Sequence, residues 1–121
     1  MANKKTLVLG ASENPSRYSY LAIKALLAKG HDIVALGNRA GSVSGIPIIT
    51  SPPIISDLDT VTVYLNPQRQ QQYYQYIISL APKRIIFNPG AENQELAELS
   101  VQNAITVMEA CTLVLLSTGQ Y

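Results

Sequence analysis

The feature that most constrains the fold is an alternation repeated along the chain, in which short β-rich runs ending at glycine or asparagine are separated by stretches of helical periodicity. Thr6-Leu7-Val8-Leu9 stops at Gly10, and a short, almost continuously apolar run of this kind suits a strand buried on both faces of a parallel sheet. From Ser16 to Lys29 the apolar residues Leu21, Ala22, Ala25, Leu26 and Ala28 recur at helical spacing, and Gly30 stands where a helix is commonly capped. Asp32 to Leu36 is a second strand closed by Gly37-Asn38, so Thr6 to Leu36 forms a β-α-β unit with an expected right-handed crossover.

The alternation continues after an interruption. Arg39 to Ile55 holds Gly41, Gly45, Pro47, Pro52 and Pro53 and reads as a long loop with at most one brief strand. Thr60-Val61-Thr62-Val63-Tyr64 is a strand that hands over at Asn66-Pro67, an N-cap followed by proline at the first helical position. The helix that follows is expected to run unbroken from Pro67 to Leu80. Tyr73, Ile77 and Leu80 would face the core, and Gln70, Gln71, Gln72 and Gln75 would mostly form a solvated or partner-facing side. Arg84 to Phe87 is a strand closed by Asn88-Pro89-Gly90. Glu92 to Asn103 has a helical pattern with Leu96, Leu99, Ala97 and Val101 on the apolar face and Ser100 among the polar positions, and Ala104 to Met108 is a last strand. The pattern implies one α/β domain over residues 1–121, a Rossmann-like open, mostly parallel sheet of about five strands with helices on both faces.

Composition narrows the function classes. Nine basic residues against eight acidic ones give a net charge of +1, so no bulk field exists to hold a nucleic-acid backbone or an anionic membrane. The apolar stretch near the N-terminus is too short for a signal peptide or a membrane span. The lone cysteine, Cys111, cannot form an internal disulfide, and a reducing, cytoplasmic compartment is the expectation.

In an open parallel sheet, ligands bind beyond the carboxyl ends of the strands, near the point where strand order reverses. The first such loop, Gly10 to Ser16, carries a glycine leaving the strand, Ser12 and Ser16, and then a helix start. Free backbone N–H groups and the helix dipole there could hold a phosphate, and Arg17 could add a bidentate contact. The dinucleotide fingerprint G-x-G-x-x-G is not made, because Ser12 and Pro15 stand where further glycines belong. The second strand ends in Gly37, Asn38 and Arg39 rather than in the carboxylate that holds the ribose hydroxyls of NAD. An arginine with no nearby acid favours a ligand bearing a ribose phosphate, which leaves NADP and coenzyme A.

The segment Gly10-Ala11-Ser12-Glu13-Asn14-Pro15-Ser16-Arg17-Tyr18-Ser19-Tyr20 resembles the G-A-S-x-x-P-x-R-x-S-Y motif of the small CoA-binding-domain proteins, which are similar to the N-terminal domain of the succinyl-CoA synthetase alpha subunit. The likeness continues through Gly45-Ile46-Pro47, Ser51, the turn Asn88 to Glu95 and Val107 to Cys111, with Asn88 in place of the usual Gln and Glu109 in place of the usual Asp. The resemblance implies that Gly10, Ala11, Ser12, Pro15, Ser16 and Arg17 take the pyrophosphate, with Ser19 and Tyr20 lining the helix start. Asn38 and Arg39 would flank the adenosine end, and Leu65, Asn66 and Gly90 would border the pantetheine arm.

No catalytic constellation or metal cluster is legible. His31, the one histidine, falls in the turn at the amino end of the sheet and reads as a solvent-facing residue. A lone cysteine beside a buried strand, such as Cys111, is more often a small core residue than a reactive thiol. The leading expectation is therefore non-catalytic binding of coenzyme A or an acyl-CoA. The alternatives are an NADP-binding reductase-like domain and a protein-interaction module with a vestigial groove. The apolar run Leu113 to Leu116 should pack on the domain or on another chain, which leaves a homodimer or an unidentified protein partner open.

Overall fold

The computed structural model describes residues 3–121 and shows an α/β fold built on one seven-stranded sheet. Its strands are β1 (Thr6–Leu9), β2 (Ile33–Leu36), β3 (Gly41–Val43), β4 (Ile46–Ile49), β5 (Thr60–Val63), β6 (Arg84–Phe87) and β7 (Thr106–Glu109). Their spatial order is β3-β4-β2-β1-β5-β6-β7, and every pairing is parallel except β3 with β4. β1 lies between β2 and β5, in register Leu9 with Leu36 and Leu9 with Val63. The chain thus winds outward in both directions from β1, and the carboxyl end of β1 is the switch point.

The two strands beyond the expected five come from the segment read as a loop. Ser44 and Gly45 both adopt positive φ, at 51° and 83°, and this turn folds Gly41–Val43 back on Ile46–Ile49. Pro47 is tolerated because β4 is short and pairs with β2 only through Ile48 and Ile49.

Alternation along the strands divides the core in two. Leu7, Leu9, Val61, Val63, Ile85 and Phe87 face helices α2 (Pro67–Gln70), α3 (Tyr74–Leu80) and α4 (Gln94–Gln102). Val8, Ala35 and Ile86 face α1 (Tyr18–Ala28) and α5 (Thr112–Ser117). Helix α1 buries Ser19, Ala22, Ile23 and Leu26, whereas Leu21, expected on that face, is exposed. It ends as periodicity predicts: Gly30, at φ 82°, donates to the Leu27 carbonyl and the His31 N–H reaches the Leu26 carbonyl, a Schellman closure. The apolar run Leu113 to Leu116 lies within α5, which packs beside α1 with Leu115 and Leu116 buried and Val114 exposed.

Three readings are corrected. The helix after Asn66 is not continuous, because a 3₁₀ turn over Gln71–Tyr73 separates α2 from α3. Gln70 is not solvated but fully buried, its amide donating to the carbonyls of Leu65 and Ala91, both at 2.8 Å. In α4, Ser100 is buried and Val101 is 62% exposed, the reverse of the expected face. The serine hydroxyl bonds the Leu96 carbonyl at 2.6 Å, which satisfies its polarity within the helix and lets it face the core.

His31 is also buried rather than solvent-facing. Its Nδ1 accepts the Lys4 N–H at 2.9 Å, and its ring centre lies 5.0 Å from that of Tyr121. Burial, reinforced by the nearby cations of Lys4 and Arg84, lowers its pKa below 6.5. It stands at the amino end of the sheet, away from the switch point. Among the described residues, no helix is long and apolar enough to cross a membrane, and no three His, Cys, Asp or Glu residues stand together as a metal site.

Candidate functional site

A cavity of about 610 Å³ opens at the carboxyl end of β1, where the sheet topology places a ligand crevice. Its floor is the loop that leaves β1, Gly10, Ala11 and Ser12. One wall comes from the start of α1 (Ser16 to Ser19), a second from Leu36, Gly37 and Asn38 after β2, and a third from Tyr64, Leu65, Arg69, Gln72 and Tyr73 after β5, with Pro89 completing the rim.

Backbone geometry holds the floor in place. The N–H groups of Gly10 and Ala11 both donate to the Leu36 carbonyl, at 2.9 and 3.0 Å, which ties the loop to the end of β2. Gly10 has φ 94°, a left-handed value that favours glycine, and a Cβ there would also press on the Leu65 side chain at 3.1 Å. Gly37 is required for a different reason: a Cβ at this position would collide with the Ala11 carbonyl oxygen. Glu13, the only acid of the loop, is turned away from the cavity. Its carboxylate accepts the Ser42 N–H at 3.2 Å and lies against Gly41, so the β3–β4 hairpin braces the loop from outside.

The helix start is left open to a ligand. Ser12 and Ser16 do not cap α1: Ser12 Oγ accepts from the Asn14 N–H at 3.1 Å, and the Ser16 hydroxyl donates to Asn14 Oδ1 at 2.8 Å. The N-cap residue is Arg17, in an extended conformation, and no side chain bonds the first-turn N–H groups. The positive end of an 11-residue helix therefore meets the cavity without an internal acceptor. Two arginines, Arg17 and Arg69, line the same cavity, and among the described residues neither lies within ion-pairing distance of a carboxylate. The lining contains no Asp, Glu, His, Cys or Lys. The Tyr64 phenol in the lining is pushed up to about 12, mainly by burial, so it stays protonated and is no base near neutral pH.

Of the residues expected from sequence, Gly10, Ala11, Ser12, Ser16, Arg17, Ser19, Asn38 and Leu65 come together here. Pro15, Arg39, Asn66 and Gly90 are exposed and outside the lining. Tyr20 packs beside the core on the α1 face, with the Lys24 ammonium 5.5 Å from its ring centre. Asn66 caps α2 by accepting the Arg69 N–H at 2.9 Å, as its place before proline predicts. Tyr18, Arg69, Gln72 and Tyr73 are lining residues that sequence reasoning missed. Cys111 is half-buried at the N-cap of α5 and does not reach the cavity.

A buried polar network holds the third wall. Gln70 bonds the Leu65 and Ala91 carbonyls, and its Oε1 accepts from the Asn93 amide at 2.9 Å, while Asn93 Oδ1 accepts the Leu96 N–H and so caps α4. Asn88 performs a parallel task beside it: its amide donates to Thr62 Oγ1 and the Val63 carbonyl, and its Oδ1 accepts the Thr112 N–H at 2.9 Å. Both networks join loops at the carboxyl edge of the sheet, so the cavity stands on braced backbone. A second cavity, of about 590 Å³, is an apolar groove between α1 and α5 lined by Ala25, Leu113, Val114 and neighbours, away from the strand ends.

The sequence matches the family model of a CoA binding domain over residues 4–117. No curated protein matches it. Among solved structures, an uncharacterized protein is similar at 50% identity, with 100% of both chains covered and a TM-score of 0.97. A hypothetical protein from Pyrococcus horikoshii OT3 is 21% identical over 93% of this chain and 80% of that one, with a TM-score of 0.83. The cell-free ID.343 protein from Thermus thermophilus is 18% identical over 98% and 91%, with a TM-score of 0.79. The last two share the fold, and at that identity the likeness extends no further. The family match runs through β1, the loop after it and every strand of the sheet, and on that ground the chain belongs to the CoA-binding-domain family.

Proposed function

We propose that this chain binds coenzyme A or an acyl-CoA in the cavity at the end of β1 and performs no covalent step of its own. The observation that carries this reading is the open start of α1. Uncapped first-turn N–H groups, the Gly10–Ser12 floor and Arg17 converge on one cavity whose lining holds no carboxylate, an arrangement suited to a pyrophosphate. Membership of a CoA-binding-domain family supports coenzyme A as the source of that pyrophosphate. The absence of a general base or nucleophilic thiol from the lining supports binding without chemistry. On this reading residues 1–121 act as one cytoplasmic binding domain, with any protein partner or second copy engaged through another face.

Calorimetric titration tests it. Coenzyme A should bind with micromolar or tighter affinity, and Arg17→Ala should weaken it at least about tenfold, the scale of one charge-assisted contact. Absence of heat at millimolar coenzyme A would defeat the proposal.

A further inference from the structure

The amino end of the sheet is closed by a tyrosine held among cations. Residues 118–121 leave α5 and carry Tyr121 to the start of β1, where it is 6% exposed. Its phenol oxygen shares a hydrogen bond with Thr6 Oγ1, and its carbonyl oxygen accepts from the Lys4 ammonium. Around the centre of its ring stand the Arg84 guanidinium at 4.4 Å, the His31 ring at 5.0 Å and the Lys4 ammonium at 5.8 Å. Helix α5 is thus pinned twice. At its start Thr112 is bonded to Asn88 and Thr62, and beyond its end Tyr121 fills this socket. The other hydrogen bonds of residues 118–120 stay within the last turns of α5, so among the described residues Tyr121 alone ties that segment to the sheet.

We infer that Tyr121 is an acid-released latch: protonation of His31 frees residues 118–121 from the socket while the sheet stays folded. The bonding of His31 specifies its neutral ring. Nδ1 accepts the Lys4 N–H at 2.9 Å, which places the ring proton on Nε2, and Nε2 is buried without a hydrogen-bond partner among the described residues. In the imidazolium both nitrogens donate, so protonation sets Nδ1 against the Lys4 N–H. The bond that is lost fixes the same residue whose ammonium holds Tyr121. The new charge also has little to balance it. Among the described residues the charged groups that act on His31 are Lys4 from the segment before β1, Arg84 on β6 and Asp59 before β5. Asp59 is already shared between Lys83 and Arg84, and Asp32, next to His31 in the chain, accepts the Asn3 side-chain amide. The Tyr121 phenol is pushed up mainly by burial and stays neutral throughout. Burial and the two cations hold the imidazole below 6.5, so the latch is closed above pH 6.5 and opens as pH falls through the folded-state value. Tyr121 yields rather than Thr6 or Arg84, because those two are held in the strand pairings of β1 and β6.

Nuclear magnetic resonance tests the latch, because His31 is the one histidine of the chain and its ring signal titrates alone. The readout is the nuclear Overhauser contact between the Tyr121 ring and Thr6. In wild type it should be present at about pH 7.5 and vanish with the midpoint of the His31 titration, while contacts between β5 and β6 persist. His31→Asn puts a carbonyl acceptor near the place of Nδ1 and does not titrate, so it should keep the Tyr121 contact down to about pH 5. His31→Gln is the second variant, with the same expectation. A Tyr121 contact that survives full protonation of His31 in wild type would overturn the inference. So would its loss at the same pH in a folded His31→Asn or His31→Gln, since another group would then drive the release. Loss of the β5–β6 contacts at the same midpoint would also overturn it, because the segment would then unfold only with the sheet.

Discussion

Gly37, after β2, packs against the backbone of the loop that follows β1, and Gly37→Ala should damage binding more than its effect on stability accounts for. The added Cβ would strike the Ala11 carbonyl oxygen and approach Ile48 Cγ2 at 3.1 Å. Neither side can yield freely. The Gly37 N–H is bonded to the Ile49 carbonyl at 3.0 Å, and the loop is tied to the Leu36 carbonyl through both Gly10 and Ala11. Overpacking of this kind costs about 1–3 kcal/mol, measurable as a shift in the urea midpoint. Relief must come from displacing the Gly10–Ser12 floor, so coenzyme A affinity should fall at least about tenfold, equivalent to about 1.4 kcal/mol. Gly30→Ala is the control. That residue has φ 82° with open space around it, so alanine brings backbone strain of about 1–2 kcal/mol at a helix end far from the cavity. The two variants should lose comparable stability, and only Gly37→Ala should lose affinity. Matching coenzyme A affinities in both, at a temperature where both are folded, would refute the role given to the close approach of Gly37 and Ala11.

Three further outcomes follow from the same structure. Gln70→Leu strands the Leu65 and Ala91 carbonyls and the Asn93 amide, so urea unfolding should report a loss of roughly 2–5 kcal/mol. Ala104 closes α4 at φ 60°, so Ala104→Gly should relieve left-handed strain and raise stability by about 0.5–1 kcal/mol, read from the same titration. His31 is buried with its pKa held below 6.5, so the unfolded chain binds more protons as acid is added. Stability should be complete above pH 6.5 and fall as pH drops from there through the folded-state pKa, and His31→Phe should flatten that slope between pH 7.5 and 5.5.

The layout of the sheet was legible because strands buried on both faces are rich in apolar and β-branched residues, as Leu7 to Leu9, Val61 to Val63 and Ile85 to Phe87 are, Thr62 being the one polar residue among them. The place of the cavity floor was legible for a related reason, since Gly10 and Ser12 follow directly on such a strand. Residue class misled where a polar side chain found its partners inside. Gln70, Ser100 and His31 are each buried with a backbone partner that periodicity does not reveal. The β3–β4 hairpin was hidden because its turn places Ser44, a non-glycine residue, at positive φ, and because Pro47 argues against a strand. The place of Arg69, Gln72 and Tyr73 in the cavity wall escaped notice because the 3₁₀ turn has no proline or glycine to announce it. Gln71, Gln72 and Gln75 are exposed and Tyr73 packs on the core as helical periodicity places them, but that periodicity gives no sign that Arg69, Gln72 and Tyr73 share a cavity wall.

Thermal unfolding with a panel of coenzyme A, NADPH and NADH addresses the central claim most directly, because a ligand that binds only the folded state must raise the melting temperature. Coenzyme A at about 100 times its Kd should add about 2.7 kcal/mol to stability in wild type and markedly less in Arg17→Ala. Stabilisation by NADPH with none by coenzyme A would contradict the account.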